Sequence, residues 1–205
     1  MNTKQKIGRA CMIVGILLIL GALALLGYNQ WDANRADKAS QDALGKLEET
    51  LTETIEDKTK DEEPVVQPEL DPEQEMTVTD IDGWGYIGYL SIPSIGLELP
   101  VMSEWSYPRL KIAPCRQFGS SRTDDLVIAA HNYESHFGKL TSLTAGDSVT
   151  FTDMDGIVNE YVVNKVEVLD PHSVEEVEHS GYALVLYTCT YGGKTRVTVF
   201  CDRAS

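Results

Sequence analysis

Hydrophobic and polar positions divide the chain into three parts with different periodicities. The first part, residues 10–30, carries no charged residue and is rich in Leu, Ile, Ala and Gly. At about 1.5 Å of rise per residue, a helix of this length crosses a hydrocarbon core of about 30 Å. The pattern therefore predicts a membrane-spanning helix over residues 10–30.

The residues that flank this span predict its orientation. Lys4, Lys6 and Arg9 precede it, and no acidic residue occurs among the first nine. A positive flank keeps residues 1–9 in the cytoplasm and exports the rest of the chain, which places a single-pass protein in the cell membrane with its folded domain outside. The alternative is a cleaved signal peptide, since residues 22–24 (Ala-Leu-Ala) resemble a cleavage site, but the uncharged run is longer than a usual signal core and favours a retained anchor.

The second part, residues 31–80, reads as an acidic stalk. Residues 32–80 contribute −11 to the net charge of −15, whereas residues 81–205 contribute −7. Apolar positions at three- and four-residue spacings, Leu44, Leu47, Leu51 and Ile55, predict an amphipathic helix interrupted by Gly45. Two heptads are too few to define a coiled coil, so we interpret the segment as a solvated, partly helical spacer rather than a partner helix. The acidic, proline-containing residues 61–72 predict an extended linker.

The third part, residues 81–205, is patterned for β-structure and is long enough for one core. Segments rich in Val, Ile, Tyr, Phe and Thr predict strands at Trp84–Ile92, Leu126–Ala130, Ser148–Thr152, Glu160–Val168, Ala183–Thr188 and Thr195–Phe200. Short strands with few helices predict a mainly β domain, either a closed barrel or a sandwich, and the periodicity leaves that choice open. Residues 173–179, with three Glu, predict a short surface helix or loop.

Charge and residue spacing disfavour two classes of function. Outside the first nine residues there is no basic cluster, which argues against nucleic-acid binding. No Cys or His pair has the spacing of a zinc site, and Asp153-Met-Asp155-Gly lacks the remaining positions of a calcium loop. We therefore expect no metal and no cofactor.

Three residues at the ends of predicted strands carry nucleophilic chemistry. Cys189 ends one β-patterned run, Arg196 opens the next, and His131 follows the run at residues 126–130. A lone Cys in a strand is commonly a packing residue, but a thiol, an imidazole and a guanidinium together supply the nucleophile, proton carrier and oxyanion partner of acyl transfer. His136, five residues beyond His131, is the competing imidazole.

The other cysteines have no assigned chemistry. Cys11 lies in the predicted span and is interpreted as packing. Cys115 and Cys201 lie in the exported part, where a disulfide is chemically allowed. Their spacing leaves both a bridge and two unpaired buried thiols open, whereas Cys189 must stay free to act as a nucleophile.

Several ordered motifs resemble those of one family. Val185–Cys189 reads VLYTC, close to the Thr-Leu-x-Thr-Cys signature of the sortases, and Arg196 follows seven positions later. Upstream lie His131-Asn132, then the Phe-x-x-Leu element at residues 137–140, then Gly-Asp at residues 146–147; residues 88–93 with 99–101 resemble the family's opening hairpin. The resemblance covers residues 83–203. Sortases are membrane-anchored cysteine transpeptidases of mainly Gram-positive bacteria.

This resemblance implies a fold and a reaction. The fold is a seven- or eight-stranded β-barrel with short helices in its connections. In the reaction, Cys189 attacks the Thr-Gly bond of an LPxTG-like sorting signal, His131 transfers protons, Arg196 stabilises the oxyanion, and an amine of a cell-wall precursor or a pilin resolves the thioester. Thr188 either binds substrate or has a structural role. Tyr133, Tyr187 and Trp105 could line a substrate groove, but each is interpreted first as a packing residue. The calcium ligands of some sortases have no counterpart in the sequence.

The resemblance gives less about the subclass. Residues 131–132 and 188–191 are similar to class B patterns, but the interval 168–183 is too short for the long helix of that class. With neither a second span nor an Asp-Pro-aromatic lid in the sequence, a housekeeping or dedicated anchoring enzyme is favoured over a pilin polymerase.

Two other classes of protein remain as alternatives. A secreted cysteine hydrolase needs the same residues and differs in using water, but papain-like peptidases place Cys before His, opposite to the order here. A non-catalytic, membrane-anchored β-domain would make all three residues incidental, which the surrounding motifs argue against.

Overall fold

The computed structural model describes residues 3–59 and 71–204, with side chains for residues 7–55 and 71–204. The linker expected at residues 61–72 lies almost entirely outside the described residues. The described residues contain three α-helices, α1 Thr3–Thr59, α2 Tyr107–Leu110 and α3 Val174–Glu178, with 3-10 turns at Pro93–Ile95 and Phe137–Ser142. The strands are β1 Thr79–Ile81, β2 Trp84–Ile92, β3 Leu97–Met102, β4 Cys115–Phe118, β5 Leu126–Ala130, β6 Ser148–Asp153, β7 Val158–Leu169, β8 Leu184–Cys189 and β9 Arg196–Arg203.

Eight of the strands form a closed barrel. The sheet order is β1-β2-β3-β4-β5-β8-β9-β7-β6, and β6 pairs back onto β2 to close the ring, leaving β1 as a short strand beside β2. Most neighbours are antiparallel, but the pairs β3–β4 and β5–β8 are parallel. The alternation of side chains along each strand sends one set inward, where Leu90, Ile128, Leu186 and Val199 pack in one core cluster. Because the sheet closes on itself, the domain is a barrel and not the sandwich that the periodicity also allowed.

The pattern-based strand prediction missed three short strands around the start of the barrel. β3 contains Pro100, which lacks an N–H and normally argues against an interior strand. It is tolerated here because β3 pairs fully with β2 but meets β4 through Met102 and Cys115 alone. β4 has only four residues and β1 only three, too short for a period-2 pattern to stand out.

The first unit of the structure, through Arg35, is the N-terminal part of α1. An 18-residue window of the helix has a mean hydropathy of 2.7, and none of that window is buried. By length and composition the helix can cross a membrane.

The second unit, Ala36–Ser205, joins the remainder of α1 to the barrel. One stripe of the helix is buried: Ala36, Ser40, Ala43, Leu44, Leu47 and Leu51. Leu47 and Leu51 share a core cluster with Tyr86, Met102 and Cys115, and Lys46 forms an ion pair with Asp82.

This packing corrects the interpretation of the segment as a solvated spacer. The helix is continuous through Gly45, and its apolar stripe is the side that covers the barrel. A helix that packs on its own domain and a helix that binds a partner both carry an apolar stripe of four or five residues. The sequence therefore could not show which surface this stripe contacts.

Candidate active site

The ends of β5, β8 and β9 bring the three predicted site residues together. Ala130 and Thr188 are register partners in the parallel pair, so His131 and Cys189 leave neighbouring strands side by side. Cys189 and Arg196 are register partners in the antiparallel pair β8–β9. Neighbouring strands lie about 4.8 Å apart, which places the thiol between the imidazole and the guanidinium.

All three side chains belong to the outer face of the barrel. In β8 the inward residues Leu184 and Leu186 lie in the central core, whereas Tyr187 and Val185 pack in a separate outer cluster. Cys189 follows the outward alternation and is partly exposed, as are His131 and Arg196. A substrate can therefore approach the set from solvent.

Thr188 fixes the register next to this set. It points inward, is 3% exposed, and its hydroxyl donates to the carbonyl of Ala130 at 2.8 Å. This hydrogen bond joins the last residue of β5 to β8, directly before His131 and Cys189. The hydroxyl is therefore committed to a structural contact, and a direct substrate contact of Thr188 is left to its backbone.

We expect Thr188→Val to slow acyl transfer by about tenfold and to lower the free energy of unfolding by about 1 kcal/mol, since it removes one buried hydrogen bond. Thr188→Ser keeps the hydroxyl and should retain most of the activity. Thermal unfolding and the rate of Cys189 acylation measure the two effects. Equal rates for the Val variant and the wild type would show that the bond does not position the site.

A tight loop holds Arg196 beside the thiol. The backbone N–H of Thr190 donates to Thr195 at 2.9 Å, and Gly192 and Gly193 both have positive φ, which suits glycine. Nη1 of Arg196 donates to the carbonyls of Gly193 and Thr195, each at 3.1 Å. The guanidinium is thus anchored on one side and keeps further N–H groups for a substrate oxygen.

His131 begins a loop closed by backbone hydrogen bonds. Phe137 donates to the carbonyl of His131 at 3.1 Å, and Gly138 donates to that of Tyr133 at 2.9 Å. A Cβ on Gly138 would lie 2.7 Å from the carbonyl oxygens of Asn132 and Tyr133, so this close approach requires glycine. The rings of His131 and Tyr133 are 5.0 Å apart.

His136, the competing imidazole, lies in the interior. It is fully buried, and neither ring nitrogen has a hydrogen-bond partner among the described residues. Burial lowers the pKa of His136 to about 4, and the neighbouring His131 acts in the same direction, against a backbone contact with Ala36 of α1. An imidazole kept neutral and away from solvent is unsuited to carry protons to a bound substrate, which favours His131.

The buried His136 makes stability depend on pH in a defined direction. Its pKa falls from 6.5 to about 4 on folding, so the unfolded state takes up the proton first. Its contribution is fully present above pH 6.5 and is lost as the pH falls towards 4, by up to about 1.4 kcal/mol per pH unit. His136→Leu should therefore lose less stability than the wild type between pH 7 and pH 5.

Unfolding midpoints at pH 7, 6 and 5 check this, with the exposed His172→Leu as the matched control. Parallel curves for the wild type and His136→Leu would contradict it.

Cys115 and Cys201 are unpaired and buried. Cys115 belongs to the cluster under α1 and Cys201 to the barrel interior. Burial raises the pKa of each thiol to about 12, so both remain protonated and unreactive. The spacing of Cys115 and Cys201 allowed either a disulfide or two unpaired buried thiols, and the structure shows unpaired thiols.

A groove of about 710 Å³ runs up to the site across the outer face. Its lining comes from residues 103–105, residues 116–119 and part of the segment 169–177, together with Tyr187 and Arg196. Cys189 stands two residues beyond Tyr187 on the same strand face. Arg196, which lines the groove, is also the register partner of Cys189, so the groove lies next to the thiol.

Sequence reasoning did not identify all of these groove residues. Tyr187 and Trp105 line the groove rather than only packing, and Arg116 was not singled out at all. Arg116 lies on β4, whose four residues carry no β pattern. A half-buried arginine on such a segment gives no signal in a single sequence.

The structure is a closed barrel with His131, Cys189 and Arg196 at neighbouring strand ends, and similarity to known proteins identifies its family. The family model of the sortase domain matches residues 90–204, more than half of the chain. The chain belongs to the sortase family. It is accordingly a cysteine transpeptidase that acts on surface proteins, and the apolar N-terminal helix suggests membrane anchoring, which is typical of this family.

Individual relatives agree with this assignment. The chain is 28% identical to sortase A of Bacillus anthracis over 187 residues, covering 88% of this chain and 87% of that protein. It is 26% identical to sortase C1 of Streptococcus suis, with a TM-score of 0.50 over 58% of this chain and 73% of that one. The sortase D5 transpeptidase of Clostridium perfringens, with a TM-score of 0.59 over 82% of this chain and 99% of that one, is 17% identical and shows the shared fold. The predicted family and the eight-stranded form of the predicted barrel are confirmed.

Proposed function

We propose that this sortase cleaves an LPxTG-like sorting signal between Thr and Gly through a thioester on Cys189. The surface protein is then transferred to an amine of a cell-wall precursor or of a pilin. The observation that carries this proposal is the lateral order His131, Cys189, Arg196 on the outer face, beside a groove that Arg196 lines. These residues match the family's motif position by position.

In the first half-reaction the Cys189 thiolate attacks the threonine carbonyl. The carbonyl oxygen becomes an oxyanion, to which the Arg196 guanidinium donates hydrogen bonds. The C–N bond then breaks, His131 gives its proton to the departing glycine amine, and the thioester forms. The products are a free C-terminal fragment and an acyl-enzyme.

In the second half-reaction an amine attacks the thioester. His131, neutral after the first step, takes the proton that the amine must lose, and the C–S bond breaks to regenerate the thiolate. The closed loop 131–138 and the Thr188 bond hold the imidazole and the thiol in place during both transfers. A water molecule in place of the amine would give hydrolysis.

We also propose that the N-terminus is cytoplasmic and the barrel extracellular. Lys4, Lys6 and Arg9 supply the positive flank of the apolar span. An extracellular site meets both a translocated surface protein and a wall precursor.

The test is mass spectrometry of the full chain in detergent, incubated with LPxTG-like peptides with and without an amine acceptor. Cys189→Ala is the reference, and Cys115→Ala is the control for a buried thiol. An adduct on Cys189 that an amine converts into linked product supports the proposal. Cleavage to free acid that no amine diverts would identify a hydrolase instead, and no adduct with any peptide would refute the proposed signal.

A further inference from the structure

We propose that Arg116 makes this enzyme selective for a carboxylate in the substrate at the fifth residue before the scissile bond, directly before the Leu of an LPxTG-like signal. The inference rests on the proposed function, because it concerns the peptide that occupies the groove. It assigns the recognising group to β4, away from the three catalytic candidates.

A census of the arginines in the barrel domain supports this assignment. Residues 71–204 contain five, at positions 109, 116, 122, 196 and 203. Arg109, Arg122 and Arg203 each pair with a carboxylate of the described chain. Arg116 and Arg196 form no such pair, and both line the same groove.

The unpaired state of Arg116 is notable in an acidic domain. Residues 81–205 carry a net charge of −7, so carboxylates are plentiful, yet none lies within ion-pairing distance of this guanidinium among the described residues. The closest groove carboxylate by sequence, Glu104, is taken by Arg109 at 2.8 Å. The groove lining contains Glu104 and Asp170 as well as the two arginines, yet neither carboxylate forms an ion pair with Arg116.

The side chain is also held in position. Nε of Arg116 donates to the carbonyl of Ser103 at 2.9 Å, and the residue is half-buried between the groove and a smaller cavity of about 330 Å³ beside residues 72–78. The two terminal nitrogens make no hydrogen bond to the described chain and retain their donors. A fixed guanidinium with free terminal donors matches the two oxygens of a carboxylate.

The register fixes the part of the peptide that Arg116 can reach. Arg116 pairs with Ile128 of β5, which pairs with Leu186 of β8, three residues before Cys189. Two strand spacings of about 4.8 Å and three rises of about 3.3 Å separate the backbones by about 14 Å. An extended peptide covers this distance in about four residues. With the scissile Thr counted as the first residue, the fifth residue before the scissile bond lies opposite Arg116.

The test uses the full chain in detergent and a series of LPxTG-like peptides with either Glu or Gln at position two, five or six before the scissile bond. We expect kcat/KM for acylation of Cys189 to be about 5–20-fold higher for Glu than for Gln at position five, and within twofold at positions two and six. In Arg116→Met this preference should fall to within twofold, and Arg116→Lys should keep part of it. Lys111→Met, an exposed residue outside the groove, makes the same change in net charge and should keep all of it.

The outcomes separate this inference from the proposed function. Acylation of Cys189 with no preference for Glu at any position, or a preference that survives in Arg116→Met, overturns the role of Arg116 and leaves the transpeptidase intact. A uniform loss of rate for all peptides in Arg116→Met, with a lowered unfolding midpoint, shows a structural role and also overturns it. No adduct with any peptide in the wild type would be the failure of the proposed function itself.

Discussion

Arg196→Met is expected to slow acylation of Cys189 by about 10²–10³-fold, the usual cost of removing one oxyanion donor. The register puts Arg196 directly opposite Cys189, and a hydrogen bond from its guanidinium to the carbonyl of Gly193 holds the side chain. The loss should appear in kcat more than in KM, because the oxyanion exists only after attack. Single-turnover acylation with a sorting-signal peptide measures it.

Arg196→Lys separates charge from geometry. A lysine restores the positive charge but not the planar fork, so it should recover only part of the rate. Lys194→Met, an exposed residue in the same loop, is the matched control and should acylate at nearly the wild-type rate. Alkylation of Cys189 by a small thiol reagent then shows whether Arg196 also favours the thiolate.

If Arg196→Met and the wild type acylate at similar rates, the oxyanion must be stabilised by backbone N–H groups, and the assignment of Arg196 is wrong. If alkylation slows as much as acylation, Arg196 acts mainly on the thiol rather than on the substrate oxygen.

The sequence predicted the parts of the fold that depend on regular alternation. β2 and β5 were predicted with the bounds that the structure shows, and the ends of β8 and β9 were predicted to within a few residues. Those ends carry Cys189 and Arg196, so the neighbourhood of the thiol could be inferred from pattern and motif. The strand end and the family motif favoured His131 over His136, and the fold adds the physical difference, since His131 is partly exposed and His136 is buried.

The packing of distant segments against the barrel could not be predicted, because a single sequence does not show which surfaces contact each other. The helix from Ala36 to Leu51 covers the barrel, and Met76, just after the expected linker, enters the central core. A barrel domain begun at residue 81 would therefore lack both Met76 and the helical cover over Tyr86. The same reasoning explains why Arg116 was missed, since its importance comes from the groove and from the absence of a carboxylate partner.

The charged cluster around Arg122 gives the largest expected change in stability. Arg122 and Asp153 are 1% and 0% exposed in their side chains, and their ion-pair distance is 2.7 Å. Arg122 also pairs with Asp155 at 2.9 Å, and Asp155 accepts a hydrogen bond from Thr77 next to β1. The cluster therefore joins the end of β6 to the chain that enters the barrel.

Burial raises the pKa of the Asp153 carboxyl, even though Arg122 and two backbone N–H groups act against that shift. Desolvation thus outweighs the attraction, as is common for a buried pair. Arg122→Met leaves the Asp153 charge buried without its partner, and we expect it to lower the free energy of unfolding by about 3–5 kcal/mol.

The double variant Arg122→Met/Asp153→Asn tests the cause of that loss. Asp153 accepts hydrogen bonds from the backbone N–H groups of Asp155 and Ile157, at 2.9 and 3.0 Å. The Asp153→Asn substitution keeps an oxygen for these two donors and removes the unpaired charge. It should therefore regain much of the stability lost in Arg122→Met. Glu167→Gln, which breaks the exposed pair with Lys165, is the control and should cost less than about 1 kcal/mol. Unfolding midpoints of the full chain measure these differences in stability. If the double variant is as unstable as Arg122→Met, the lost packing of the arginine side chain, and not the unpaired carboxylate, accounts for the loss of stability.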